Sequence, residues 1–335
     1  MENKRTAYIR SIGRFLPEKK LTNSDLEKLV DTSNEWIVSR TGISERRILE
    51  PGLGCSYMAV RATDECLERA GVSPEELDLI IVGTVTPDML FPSTACLLQN
   101  MIGAKKAWGF DLSAGCSGFL FSLSTAAQLI ESGRVNKALV VGSDVISSLI
   151  DYTDRGTCVI FGDGAAAVLL EACTEPGYGL LDFNLHIDGA GGEFLCVKGG
   201  GSLRPASHET VDNGEHYVYQ DGRAVFKSAV TEMSNVSVEI LERNGLTGKD
   251  VKLFIPHQAN NRIIEAAAKR MGIEEEKVIV NINKYGNTVS ASVPLALYEA
   301  LLERDNPPVK GDYLVLAAFG AGLTWGSTLL RWWEK

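Results

Sequence analysis

The sequence predicts a layered α/β fold made of two related halves. Three observations carry this. Short, almost uninterrupted apolar runs such as LDLIIVG and VKLFIP alternate with amphipathic stretches of helical period, the pattern of strands buried on both faces beneath covering helices. Phe-Gly-x-Gly followed by small residues and an apolar strand occurs twice, at Phe161–Gly164 and at Phe319–Gly322. Apolar strand, polar turn and helix recur in LDLIIVGTVTPD and VKLFIPHQAN, so an internal duplication divides the chain at about residues 1–175 and 176–335.

Taken in order, a strand is expected over Ala7–Gly13, then a Pro-marked turn. A helix start follows, capped by Thr22 with Asp25 or by Ser24 with Glu27. DTSNEWIVSRTGISERR carries Trp36, Arg40, Arg46 and Arg47, either a solvated basic turn or one that faces phosphate. SYMAVRATDECLERAGV is an amphipathic helix closed by Gly71, and the next strand ends near Thr84. Pro92 precedes a helix through STACLLQNMIG. A strand at Trp108, a small-residue turn holding Cys116 and a helix over Gly118–Ile130 come next. KALVVGSDV reads as a buried strand, and TCVIFGDGAAAVLLE as a strand, a glycine turn and a second strand. Leu181–Asp221 is rich in Gly and polar residues and is expected to form hairpins and loops outside the core. A long helix ending at Gly245 and the strand VKLFIP lead into the last third.

At 335 residues and 45% hydrophobic, the chain can bury two domain-sized cores. Its net charge of -10 argues against general nucleic-acid binding and leaves room for a local basic patch. Seven scattered cysteines, with no CxxC and no zinc spacing, argue against a disulfide framework and a structural metal. They fit a reducing compartment. No signal core and no bilayer-length apolar segment is present. The expectation is a soluble cytoplasmic protein without metal, membrane or nucleic-acid partners.

Three positions carry chemistry. Cys116 stands at a helix N-terminus among Ser113, Ala114, Gly115, Ser117 and Gly118, where unpaired N–H groups and the helix dipole favour a thiolate. A buried structural cysteine in a tight turn is the competing reading. Of four histidines, only His257 follows an apolar strand and precedes a helix, with Asn260 placed to cap it. Loops at strand ends hold chemistry in layered α/β folds, and a surface histidine bonded to its own backbone is the alternative. Asn287, in YGNT, lies between a strand and a small-residue helix; Gly-Asn is also an ordinary turn pair. Together the three form a candidate covalent acyl-transfer site.

DLSAGCSGF, DRGTCVIFGDGAAAVLL, IPHQANNRI, INKYGNTVSAS, AFGAGLTWG and WIVSRTGISERR, in this order apart from the last, which stands at the front, resemble β-ketoacyl-acyl-carrier-protein synthase III over essentially the whole chain. That resemblance implies a thiolase-like fold: two duplicated halves with stacked mixed five-stranded sheets in an α-β-α-β-α layering. It implies that Cys116 takes an acyl group from a short acyl-coenzyme A, which is a substrate and not a cofactor. His257 and Asn287 then bind the thioester carbonyl of malonyl-acyl carrier protein as carbon dioxide leaves. Backbone N–H groups of Cys116 and of the Gly320–Ala321–Gly322 turn hold the oxyanion; Ala321 stands where family members often have glycine. Trp36 and Arg155 resemble the pair that packs adenine, Arg40 a phosphate contact, and Arg223 part of the tunnel mouth. Lys227, Arg262, Lys269 and Arg270 resemble the basic patch that receives the acidic carrier protein; for Lys269 and Arg270, a helix C-terminus favouring cations is the alternative. Phe91 resembles the residue that reaches into the acyl pocket of the second subunit of a homodimer and favours small primers such as acetyl. Two readings compete: a related condensing enzyme of secondary metabolism with another primer or acceptor, and a non-catalytic partner subunit. Biosynthetic thiolases use a second cysteine where Asn287 stands.

Overall fold

The computed structural model describes residues 5–334. Strand β1 (Thr6–Phe15) leads to a two-stranded ribbon, β2 (Lys20–Thr22) and β3 (Glu45–Arg47), whose connection carries α1 (Asn23–Leu26) and α2 (Asn34–Thr41). Next come α3 (Cys55–Ala70), β4 (Leu79–Gly83), α4 (Thr94–Ile102), β5 (Trp108–Leu112), α5 (Gly118–Glu131), β6 (Lys137–Asp144) and β7 (Gly164–Cys173). The order then nearly repeats. It runs β8 (Gly179–Ile187), β9 (Leu195–Val197), α6 (His208–Asp212), β10 (Val218–Gln220), α7 (Gly222–Arg243), β11 (Val251–Pro256) and α8 (Asn261–Met271). The chain closes with α9 (Ile282–Tyr285), α10 (Ser292–Leu302), β12 (Tyr313–Gly320) and β13 (Thr324–Arg331).

Local sequence sets the helix ends. Thr22 and Asp25 form a capping box on α1, Ser93 caps α4 and Asn260 caps α8, each satisfying N–H groups that a first turn leaves unpaired. Gly71 closes α3 at φ 65°, a left-handed position that glycine occupies without a Cβ penalty.

The two sheets are built alike. The first has the order β1-β7-β6-β4-β5 and the second β8-β13-β12-β11. In each, the first two pairings are antiparallel and the next is parallel. β5 adds a parallel edge to β4, and Val278 bridges Phe254 in parallel at the matching place beside β11. This fifth position is therefore a strand in one half and a single bridge in the other.

Strand alternation generates the layers. Leu79 and Ile81 of β4 face a central cluster, whereas Ile80 and Val82 face an outer one with α3 and α4. Leu314, Leu316 and Ala318 of β12 face the same central cluster, and Val315, Ala317 and Phe319 pack outward with α7 and α8. Phe119 and Leu123 of α5 and Val293 and Leu297 of α10 fill the centre between the sheets. A period of two on a strand with both faces covered thus gives five layers, helix–sheet–helix–sheet–helix. Each large apolar side chain so buried contributes about 1.5–3 kcal/mol.

Three segments differ from the sequence expectation. Residues 157–160 are hydrogen-bonded turns and not a strand, and Phe161 makes only a single bridge to Asn287: Cys158 N–H donates to Asp154 O, Ile160 N–H to Thr157 O, and the Thr157 hydroxyl to Asp154 Oδ2. Local side-chain bonding outcompetes strand pairing there. The excursion at 181–221 begins in the core sheet, because Leu180 to Ile187 pair with β13. The remainder lies outside that sheet, as loops with the short helix α6, pinned by the β9–β10 pairing. VIVN before Asn287 is extended but pairs only through Val278. Among the described residues, no helix is long and apolar enough to cross a membrane.

Candidate active site

Cys116 occupies a short 3-10 turn, Gly115–Ser117, that feeds directly into α5. Gly115 takes φ 54°, and a Cβ on it would come within 2.7 Å of the Ala321 nitrogen. A Cβ on Gly320 would lie 2.5 Å from the Cys116 nitrogen. Both glycines are therefore required by the close approach of the β12–β13 turn to the Cys116 turn. Among the described residues, no backbone carbonyl or side chain accepts the N–H of Cys116 or of Ala321. Two free donors beside the sulfur are what a tetrahedral oxyanion needs.

His257 follows β11, and its N–H donates to Ala317 O of β12 at 2.7 Å. The ring is 2% exposed and neither ring nitrogen has a partner. Burial pushes the imidazole down to about 3, so it is neutral and presents one N–H donor and one acceptor to the cavity. Asn287 is held by its backbone: its N–H donates to Ile160 O at 2.9 Å, and its carbonyl accepts from Gly162 N–H at 3.0 Å. Val289, at φ 53°, lies where a β-branched residue is unfavourable. In that conformation its N–H donates to Asn287 Oδ1 at 2.9 Å. This bond fixes the amide orientation and leaves Nδ2 as the free donor, 4.0 Å from Cys116 Sγ.

The sulfur differs from its sequence expectation. Cys116 is 6% exposed. Burial pushes the thiol up to about 12, with Asp144 adding to the rise and the Asn287 amide opposing it. Desolvation here opposes and outweighs the pull of the helix N-terminus on the sulfur. Asp144 itself is raised by burial. The Ser290 hydroxyl has one proton, yet contacts both Asp144 Oδ2 and Gly83 O, the latter at 2.7 Å.

Cys116, His257 and Asn287 line one cavity of about 520 Å³, together with Trp36, Arg40, Arg155, Phe226 and Asn260. The Arg155 guanidinium stands 5.1 Å from the centre of the Trp36 ring, and Asn260 Nδ2 donates to Arg40 O at 2.8 Å. Arg223 lies exposed on the first turn of α7, beside the lining residues Gly222 and Val225 and outside the lining itself. Lys227, Arg262, Lys269 and Arg270 are exposed on α7 and α8, with Arg262 stacked 5.1 Å over Phe226. Cys116 also lines a second, mostly apolar cavity of about 660 Å³ with Met89, Leu90, Ile146, Leu149, Phe161, Leu195, Val289 and Ala321. Phe91 is 82% exposed and lies outside its own chain's cavity. Among the described residues, no cluster of three or more His, Cys, Asp or Glu side chains is placed to hold a metal.

Sequence reasoning missed Gln258, Asp144 and Ser290, all buried around the site. The one available signal was a glutamine directly after His257 at the strand end in IPHQAN.

Two stacked, duplicated α/β halves that meet at a buried cysteine define a thiolase-fold condensing enzyme, an acyltransferase. Residues 110–189 match the family model for 3-oxoacyl-[acyl-carrier-protein] synthase III, and residues 241–332 match the model for its C-terminal part. A β-ketoacyl-[acyl-carrier-protein] synthase III from Koribacter versatilis is 56% identical, with 99% of each chain covered. The crystal structure of 3-oxoacyl-[acyl-carrier-protein] synthase III from Aquifex aeolicus superposes with a TM-score of 0.89 at 46% identity, covering 97% of this chain and 100% of that one. The priming β-ketosynthase of the R1128 polyketide pathway gives 0.89 at 36% identity, covering 98% and 97%. The chain belongs to the 3-oxoacyl-[acyl-carrier-protein] synthase III family.

Proposed function

We propose that this protein condenses a short acyl-coenzyme A, acetyl in the first instance, with malonyl-acyl carrier protein. The products are a 3-oxoacyl-acyl carrier protein, coenzyme A and carbon dioxide. One observation carries the reading: a buried cysteine shares a cavity with a histidine whose ring nitrogens are both unpaired and an asparagine whose amide is fixed with its donor free.

Trp36 and Arg155 stack on the adenine and Arg40 meets phosphate at the mouth. The Cys116 sulfur attacks the thioester carbon, and its proton ends on the departing coenzyme A sulfur. The N–H groups of Cys116 and Ala321 hold the oxyanion. Malonyl-acyl carrier protein then docks on Lys227, Arg262, Lys269 and Arg270, with Arg223 at the mouth, where a basic face steers an acidic partner. His257 and Asn287 donate to its thioester oxygen as the carboxylate leaves as carbon dioxide. The enolate carbon attacks the acyl-cysteine, and the released thiolate takes up a proton. The cations that line the cavity, Arg40 and Arg155, are taken by the coenzyme A mouth in this reading, and a carboxylate left among apolar neighbours loses solvation, which favours its departure. The acyl chain occupies the apolar cavity, which Phe91 from a second copy of the chain shortens.

The volume of that cavity, about 660 Å³ within one chain, favours as a second reading a priming enzyme with a longer primer. Incubation with acetyl-, propionyl-, isobutyryl- and hexanoyl-coenzyme A, read by intact mass and peptide mapping, decides. A single adduct at Cys116, strongest for acetyl or propionyl, supports the first reading. Preference for the longer chains supports the second, and no adduct on folded protein refutes both. C116A should lose all adduct and all condensation. N287A should keep the adduct and lose decarboxylation about 10²–10³-fold, the usual cost of one oxyanion donor.

A further inference from the structure

Gln258 stands next to His257 and is 1% exposed. Every hydrogen-bonding direction of its side chain is used. Nε2 donates to Pro256 O at 2.9 Å and to Ile279 O at 3.0 Å. Oε1 accepts from Asn281 N–H at 2.9 Å and from Ile282 N–H at 3.1 Å. Its own N–H donates to the Ser292 hydroxyl at 2.7 Å. None of these groups belongs to the cavity lining.

The partners explain why this matters. Ile282 opens α9, a single turn that ends at Gly286, directly before Asn287. Ser292 opens α10 on the other side of Asn287. Gln258 therefore ties the strand end that carries His257 to the chain on both sides of Asn287, across the gap where the second sheet has only a one-residue bridge. Only glutamine has two donors and an acceptor for two on a stem of this length. Asparagine is one methylene short, glutamate lacks the donors and methionine lacks both.

We propose that Gln258 is a positioning residue that sets the spacing between His257 and Asn287, and so serves decarboxylation and not acyl loading. This rests on the proposed condensation. Cys116 and its two oxyanion donors are held by α5 and by the β12–β13 turn, which Gln258 does not touch. The two half-reactions should therefore separate.

The test uses the full-length wild type, Q258E and S292A. Acylation of Cys116 by acetyl-coenzyme A is timed by intact mass, carbon dioxide release from malonyl-acyl carrier protein is measured separately, and melting temperature is recorded. Q258E should acylate within about twofold of wild type and lose decarboxylation about 10- to 100-fold in kcat with KM little changed, the scale of an ångström-sized misplacement. S292A, which removes only the acceptor of the Gln258 N–H, should show the same selectivity with a smaller loss. Equal losses in both half-reactions, or a lower melting temperature with no selective loss, would overturn the proposal. If Q258E does not fold, S292A decides by the same criterion. If acetyl-coenzyme A does not load the wild type, the ester of the same panel that loads it best is used; a wild type that no ester loads, or that releases no carbon dioxide, overturns the proposed condensation and the positioning role with it, and an active wild type with unselective variants overturns the positioning role alone.

Discussion

His257 makes the stability of the fold depend on pH, with a definite sign. Burial pushes its imidazole down to about 3 in the folded chain, against an ordinary 6.5 once the chain unfolds. Between those values the unfolded chain holds a proton that the folded one does not. The contribution of His257 to stability is therefore complete above 6.5 and is lost as pH falls toward 3. At about pH 5 the loss is about 2 kcal/mol, from 1.5 pH units at about 1.4 kcal/mol each. Asp163, pushed up to about 6 from 3.8 by burial, works the other way: its contribution is complete below 3.8 and lost as pH rises through 6. Wild-type curves mix the two, so the difference from His257→Asn isolates the imidazole. Neither ring nitrogen bonds to protein, so the substitution breaks no hydrogen bond and adds only a pH-independent offset. Urea unfolding followed by tryptophan fluorescence, at one fixed protein concentration from about pH 5 to 8, should show wild type losing about 2 kcal/mol relative to H257N across that range. A difference that stays flat with pH would refute the burial argument and, with it, the neutral imidazole on which the decarboxylation step depends.

Gly320→Ala should remove acyl loading while leaving coenzyme A binding in place, because the new Cβ would lie 2.5 Å from the Cys116 nitrogen and displace an oxyanion donor. A loss of about 10²–10³-fold in the acylation rate is expected, read by timed intact mass, and an unchanged rate would argue against the Cys116 amide as donor. Arg155→Ala and Trp36→Ala should each raise KM for acetyl-coenzyme A by about 2- to 30-fold, matching a stacked cation of about 0.5–2 kcal/mol, with kcat nearly constant. The double variant should be clearly worse than either single one, since Trp36 and Arg155 each offer their own contact to the adenine.

Much of the fold is written in strand periodicity. LIIVG and LVLAAF alternate between two buried faces, so a doubly covered sheet and its helices follow from local sequence alone. What was not legible depends on partners far along the chain. TCVIF reads as a strand by composition, but Asp154 captures Thr157 and Cys158 into turns. LDFNLHI opens a glycine-rich stretch and still joins the core sheet, because β13 is there to pair with it. At the site, Cys116, His257 and Asn287 announce themselves as reactive types at strand and helix ends. Gln258 and Asp144 do not, because their roles arise only when Asn281 and Ser290 arrive; Ser290 is 146 positions away from Asp144. Burial of Cys116 is illegible for a related reason: a helix start is visible in sequence, but the depth that pushes its thiol up is not.

The duplication also explains why the chemistry sits where it does. Cys116 belongs to the turn before α5, and Asn287 to the loop before α10, its counterpart in the second half. Each central helix thus begins at the middle of the molecule, where the ends of β4, β6, β11 and β12 converge. A Cβ on Gly83 would lie 2.9 Å from the Gly118 carbonyl carbon, and one on Gly142 2.5 Å from Ser290 O. The first of these packs α5 onto its own sheet, and the second, with Gly320 against Cys116, brings backbone of the two halves into direct contact. After β4 the chain has Thr84, bonded to Asp144, whereas after β11 it has His257 with nothing bonded to its ring. The same architectural position is thus spent on structure in one half and left open for a ligand in the other. Nucleophile and carbonyl donors come from different halves, so the Cys116–Asn287 separation of 4.0 Å is set by how the sheets stack, and a change at this glycine-lined seam should alter catalysis before it alters either half's own core.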